Sequence, residues 1–298
     1  MSPVQRGTAT ALAPTAPVIA DARREFAFSD ADFQDLSKLA YEHAGIVLGE
    51  SKRNLVYSRL SRRLRTLNFD SFGKYRAHLA SNPREIENFV NSISTNHTKF
   101  FRESHHFDHF RTHVGTHFSQ TARGNTASRL RIWSAGCSSG EEPYTIGVVL
   151  RQQVPDIARY DARILATDID TDIIAKGARG EYPKTILDEI PDAYHDYFPP
   201  VEGARGATTL VVSEEIRALI AYRQLNLLGA WPVKGLFDAI FCRNVMIYFD
   251  GPTKSKLVER FTQQLKPGGW LYIGHSESLI GSHPGLSLVG RTIYRRDP

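Results

Sequence analysis

Three stretches of the sequence bring small, acidic or amphoteric side chains to points where a strand would end. The first is Arg131-Ile132-Trp133-Ser134-Ala135-Gly136-Cys137-Ser138-Ser139-Gly140-Glu141-Glu142-Pro143-Tyr144. A short β-prone run enters a loop of small residues, and Pro143 stands where a helix can begin. Small residues let the backbone approach a ligand closely, and N–H groups at a helix start are free to donate. The loop lacks the Gly-Lys-Ser/Thr ending of a Walker loop and is not a full GxGxxG, so alone it is equally an ordinary strand-to-helix turn. The second stretch is Ile164-Leu165-Ala166-Thr167-Asp168-Ile169-Asp170, with the Asp168 carboxylate 28 residues after Gly140. An acid at a strand's C-terminal end can accept hydrogen bonds from both hydroxyls of a ribose. Asp170 and Asp172 suit a helix cap and first-turn charge. Together the two stretches point to adenosine binding at the switch point of a parallel sheet.

The third is Phe237–Cys242, followed by Arg243-Asn244-Val245-Met246-Ile247-Tyr248-Phe249. Ligands of doubly wound sheets bind beyond the carboxyl ends of the strands, so Arg243, Asn244 and Tyr248 are candidates to line the pocket. Cys242 closes an apolar strand, where a thiol is ordinarily buried and inert. A fourth run, Ser94-Thr95-Asn96-His97-Thr98-Lys99-Phe100-Phe101-Arg102-Glu103, crowds polar donors and two aromatics into a junction. His97, His105, His106 and His109 have no HExxH or Cys partner, so no metal site is expected.

These residues need elements to carry them. From Arg129 onward, β-prone runs (Leu130–Ser134, Arg163–Thr167, Ile220–Leu225, Phe237–Cys242, Gly269–Ile273, Leu288–Tyr294) alternate with helical ones (Tyr144–Gln152, Thr171–Ala178, Pro252–Leu265). That rhythm predicts βαβ units on a mostly parallel sheet. It breaks between Gly180 and Arg217, around Pro183, Pro191, Pro199, Pro200 and the stretch 202–206, where an inserted antiparallel β-subdomain is expected near Thr208–Val212. Before the sheet, Ser29-Asp30-Ala31-Asp32 caps a helix carrying Phe33, Leu36, Leu39 and Ala40 and ending at Gly45. A second helix is expected from near Ser51 to Leu67, with Val56, Leu60, Leu64 and Leu67 on one face and Lys52, Arg59, Arg62, Arg63 and Arg65 flanking it. Phe72–Leu79 and Pro83–Ile93 complete a small all-helical domain.

The expected organisation is a disordered leader over 1–24, a helical domain over 25–95 and a catalytic domain over 96–298 with its insert at about 180–217. The composition, 41% hydrophobic and 23% charged, is that of an ordinary globular chain. There is no apolar run of ~20 residues and no secretory start. Two cysteines make a disulfide framework or a zinc site improbable, as in a reduced cytoplasmic protein. A net charge of +5 and a pI near 9.2 favour a polyanionic partner, either nucleic acid or an acidic protein surface.

The runs Asn96–Glu103, Ser138–Tyr144, Ala166–Asp170, Phe241–Phe249 and Leu265-Lys266-Pro267-Gly268-Gly269-Trp270-Leu271-Tyr272-Ile273-Gly274-His275-Ser276-Glu277-Ser278 resemble the chemotaxis-receptor glutamate methyltransferases, the CheR family, in order and over nearly all of Phe28–Tyr294. The resemblance implies a Rossmann-like class I methyltransferase domain, a doubly wound α/β fold, with an N-terminal all-α domain and a small inserted antiparallel β-subdomain. It implies S-adenosylmethionine as methyl donor, with contacts from Asn96, Thr98, Arg102, Glu142, Asp168, Asn226, Leu227, Arg243 and Asn244. Gly136 and Glu141 of the small-residue loop join that set. Arg102 and Tyr248 fall where the family acts on the methyl group. Lys52, Arg53, Arg59, Arg62 and Arg63 correspond to the basic helix that recognises the receptor's methylation region. The expected partner is thus a methyl-accepting chemotaxis receptor, held through its cytoplasmic helical region with or without its C-terminal tail peptide, and the enzyme a monomer that neither binds nucleic acid nor inserts in a membrane. Two rivals stay open. A nucleic-acid methyltransferase would share fold and charge, but the chain lacks an Asn/Asp-Pro-Pro-Tyr/Phe run and a Pro-Cys context at Cys242. A signalling adaptor with an inactive pocket would not need Gly140, Glu142, Asp168 and Asn244 intact.

Overall fold

Ser29 begins the first helix by accepting the Asp32 N–H at 3.1 Å, while the Asp32 carboxylate accepts the Ser29 N–H at 3.0 Å. This reciprocal cap satisfies two donors that the first turn leaves free. The computed structural model describes residues 24–123, 125–202, 208–277, 279 and 283–298. The leader expected over 1–24 lies, but for Arg24, outside the described residues, as do 203–207 of the insert. Helices α1 (Asp30–Ala44), α2 (Arg53–Leu67), α3 (Phe72–Ser81) and α4 (Pro83–Ile93) pack around Phe28, Phe33, Leu60, Phe72, Tyr75 and Phe89. The turn Glu50–Lys52 before α2 is 3-10, so the α-helix starts two residues later than its sequence pattern predicts. Gly45 ends α1 with a φ of 68°, and a Cβ there would meet Leu228 Cδ1 at 2.2 Å. That glycine lets α1 close against the sheet domain.

Helices α5 (His105–Phe110) and α6 (Thr116–Thr121) follow, joined by a π-turn over Arg111–Gly115. No helix is expected there from the sequence. The signal is present in Phe107, Phe110, Val114 and Phe118, which recur at helical spacing and pack on the sheet, but histidines and threonines interrupt it. Strand β1 (Arg129–Ala135) then leads into α7 (Glu141–Gln153), and β2 (Asp161–Asp168) into α8 (Thr171–Arg179). A three-stranded antiparallel sheet is inserted next, from β3 (Glu181–Pro183), β4 (Pro200–Glu202) and β5 (Thr208–Val211), in the order β3-β5-β4. Helix α9 (Glu214–Arg217), β6 (Ile220–Gln224), β7 (Phe237–Cys242), α10 (Gly251–Gln264), β8 (Leu265–Ile273), β9 (Leu286–Gly290) and β10 (Ile293–Arg296) finish the chain.

The main sheet runs β6-β2-β1-β7-β8-β10-β9, with the first five strands parallel and β10 antiparallel to both neighbours. The single run expected over Leu288–Tyr294 is corrected to a tight hairpin, in which Thr292 takes a left-handed φ of 55° and reverses the chain. Register pairs Ala135 with Thr167, so the loop after β1 and the carboxylate ending β2 emerge side by side. The β-sheet core is Trp133, Phe241 and Tyr272 with Phe107 and Phe261, all nearly inaccessible to water. No described helix is long and apolar enough to cross a membrane.

Candidate functional site

At the carboxyl ends of β1, β2 and β7 the chain turns around one cavity. The Gly136 and Cys137 N–H groups both donate to the Thr167 carbonyl, at 2.7 and 2.9 Å, which ties the small-residue loop to β2. Gly136 has a φ of 83°, and a Cβ there would meet Val245 Cγ2 at 2.3 Å. Any larger residue would drive the two strand-end loops apart. The Asp168 carboxylate accepts the Ser138 N–H at 2.8 Å and the Asp170 N–H at 3.1 Å. Burial pushes its pKa up, against the pull of those two donors. Asp170 caps α8 and also accepts from Asn96 Nδ2 at 2.7 Å, pinning the junction loop beside it.

Arg243 holds the opposite side. Its guanidinium donates to Glu142 at 3.1 Å and to the Arg102 carbonyl, lies 3.4 Å from Glu103 and covers the Phe107 ring. Burial lifts the Glu103 carboxyl, but His275 and Arg243 outweigh it and bring the pKa to about 2. Burial dominates at Glu142 and raises its pKa despite Arg243 and the Ser134 hydroxyl at 2.7 Å. Phe101 and Glu103 take left-handed φ values of 51° and 56°, which bend the junction loop back over this network. The Arg102 side chain donates to the His97 carbonyl at 2.9 Å, and the Tyr248 hydroxyl lies 3.5 Å from the Thr95 carbonyl.

Asn96, Thr98, Arg102, Gly136, Glu142, Asp168, Asn226, Leu227, Arg243, Asn244 and Tyr248 all line this cavity. Glu141 does not. Its buried carboxylate turns back to accept the Ser139 hydroxyl at 2.8 Å and supports the loop. The helical domain supplies Ala44, Ile46 and Ile93 to the wall, none of which the sequence pattern marks. Asn226 donates to the His43 carbonyl at 2.7 Å, and the Val47 N–H donates to the Tyr248 carbonyl at 2.9 Å.

The basic helix divides by what its cations touch. Arg59, Arg62 and Arg63 line a groove that shares Ser94 and Asn96 with the cavity. Arg62 is exposed, while Arg59 donates to the Ile93 and Ser94 carbonyls at 2.5 and 2.8 Å. Arg63 is clamped by Glu85 at 2.7 and 2.5 Å, and the Tyr75 hydroxyl donates to the same carboxylate at 3.0 Å. Lys52 is exposed outside the groove. Arg53 donates to the Phe28 carbonyl and pairs with Asp30 at 2.7 Å, under the Phe28 and Phe33 rings. There it braces the start of α1. Among the histidines, His106 is buried against Thr292 and His109 meets the Tyr272 hydroxyl at 3.0 Å. Cys137 and Cys242 are buried, and burial raises both thiols well above their usual range.

A carboxylate between two strand ends, a loop with no room for a Cβ and a buried arginine between two acids form a donor set suited to a nucleoside carrying an amino-acid tail. Known families settle which. The model described as "CheR methyltransferase, SAM binding domain" matches residues 96–294, and "CheR methyltransferase, all-alpha domain" matches 31–94. The chain belongs to the CheR methyltransferase family. The "Probable chemotaxis protein methyltransferase" of Rhizobium etli is 43% identical over 262 residues, 86% of this chain and 96% of its own. "Chemotaxis protein methyltransferase 2" of Pseudomonas aeruginosa is 42% identical over 278 residues, 91% and 95%. The "Chemotaxis protein methyltransferase" of Escherichia coli is 41% identical over 277 residues, 90% and 91%. As a CheR methyltransferase the chain uses S-adenosylmethionine. Two acids with clear work in this site, Glu103 and Glu277, carry no role in the sequence reading, although both fall inside runs that resemble the family.

Proposed function

We propose that this chain transfers the methyl group of S-adenosylmethionine to glutamate carboxylates of a chemotaxis receptor, leaving methyl esters. The observation that carries the reading is that Arg102 and Tyr248 line the same cavity as Asp168, beside a groove edged by Arg59 and Arg62. Bound cofactor supplies an electrophilic methyl group. Asp168 would hold its ribose, and Asn226 and Leu227 would flank its base. A glutamate with a carboxyl pKa of ~4.3 is already ionised at neutral pH, so no side chain needs to take a proton. What it needs is desolvation and a fixed approach. Arg102 can hold one carboxylate oxygen while the other attacks, and Tyr248 can orient the same group. The pairing of Glu103 and Glu142 with Arg243 offsets part of the negative charge that would repel the incoming acid.

Arg102→Ala should lower turnover on receptor membranes about 100-fold, and Tyr248→Phe about 10-fold, with the product released by base as expected of an ester. Full turnover in both variants, with normal affinity for S-adenosylhomocysteine, would remove these roles. A helical receptor segment that bears glutamates would meet the groove through Arg62, the exposed cation on it. Arg62→Glu should raise the KM for receptor about 10-fold and leave cofactor affinity unmoved. The opposite pattern would exclude docking at this face.

A further inference from the structure

Glu277 lies outside the cavity wall, yet it holds Asn244, which forms part of that wall. Its carboxylate is 7% exposed and is held by main-chain donors from two segments. Oε2 accepts the Asn244 N–H at 2.7 Å and the Gly274 N–H at 2.8 Å, and Oε1 accepts the Ile247 N–H at 3.0 Å. The segment so gathered is irregular. Asn244 takes a left-handed φ of 60°, and a 3-10 turn over Met246–Tyr248 begins two residues later. Left-handed backbone is disfavoured for any residue with a Cβ, even asparagine, and needs surroundings that enforce it. The fit leaves no slack, since a Cβ on Gly274 would stand 2.6 Å from Asn244 Nδ2 and 2.7 Å from Glu277 Oε2. Because its three partners are all donors, an amide at 277 would turn an NH2 group against at least one N–H. Burial also raises the Glu277 pKa, while the same N–H groups favour the ionised form.

From this geometry we infer that Glu277 is a positioning residue for methyl transfer, fixing the Asn244–Tyr248 turn so that Asn244 faces the cofactor and the Tyr248 phenol faces the incoming carboxylate. The inference rests on the role given to Tyr248 above, and a double-mutant cycle on the full chain separates the two. Glu277→Gln, Tyr248→Phe and their combination are compared by kcat on receptor membranes and by calorimetry with S-adenosylhomocysteine. Glu277→Gln should lower kcat about 10-fold and weaken S-adenosylhomocysteine several-fold through Asn244, and Tyr248→Phe should then cost little more on that background. Losses that multiply in the double variant, or a Glu277→Gln protein with wild-type kcat and affinity, would overturn the assignment. A silent Tyr248→Phe together with weakened binding in Glu277→Gln would sink the Tyr248 role and leave Glu277 acting through Asn244. Should Glu277→Gln melt below the assay temperature, Gly274→Ala takes its place in the cycle, since its methyl wedges the carboxylate from Asn244 without changing charge. Multiplying losses there would overturn the assignment equally.

Discussion

Asp168→Ala is expected to weaken S-adenosylhomocysteine binding by more than about 100-fold in calorimetry. A hydrogen bond to a charged group contributes about 1.5–3 kcal/mol, and the two ribose hydroxyls proposed for this carboxylate would make ~3 kcal/mol a low figure for the pair. The carboxylate also accepts the Ser138 and Asp170 N–H groups, so alanine would strand two donors in the β1 loop as well. Asp168→Asn sorts these contributions, because its remaining oxygen can still accept one of those N–H groups. It should fold better than the alanine variant and bind nearly as poorly. Affinity in the wild type should also fall with acid, since burial raises the Asp168 pKa and only the ionised form accepts from both hydroxyls. Asp168→Ala with unchanged affinity would place the sugar elsewhere.

The second large effect concerns stability. Glu85 is 3% exposed and binds both Arg63 and the Tyr75 hydroxyl inside the helical domain. Glu85→Ala should cost about 3 kcal/mol in urea unfolding, since a buried ion pair stripped of one partner leaves the other charge uncompensated. The lower end of the usual range is appropriate because Arg63 is 21% exposed and water relieves part of that loss. Burial alone would raise the Glu85 pKa, but hydrogen bonds from Arg63, Asn88 and Tyr75 outweigh it and lower it. A carboxyl depressed in the folded state stabilises above its unfolded pKa of ~4.3, and the benefit fades as the pH drops through the folded value. The gap between wild type and Glu85→Ala should therefore narrow in acid. A gap that is constant with pH would assign the loss to packing. Arg62→Glu, by contrast, should leave unfolding nearly unmoved.

What the sequence revealed and what it hid divide along distance in the chain. The Ser29 cap and the alternation of strand and helix are local patterns, and Asp168 announced itself by its place at a strand end. The helical run through Phe107, Phe110, Val114 and Phe118 was masked by the polar residues between them, which weaken any window average. The fate of the basic helix could not be read at all. Arg53, Arg62 and Arg63 are alike as letters, and only Phe28, Asp30 and Glu85, brought in by folding, distinguish a brace or a buried pair from a free cation. The carboxylate of Glu277 reaches Asn244 across 33 residues, a contact that no periodicity encodes.

The contribution of Ala44, Ile46 and Ile93 to the cavity wall bears on how such enzymes can be recombined. A front half transplanted from a relative would bring its own version of that wall. Exchange of the helical half and donor affinity are thus coupled, and a chimera spliced near residue 95 would need its 44–47 segment matched to the host's Leu228 and Tyr248 before it could hold the methyl donor.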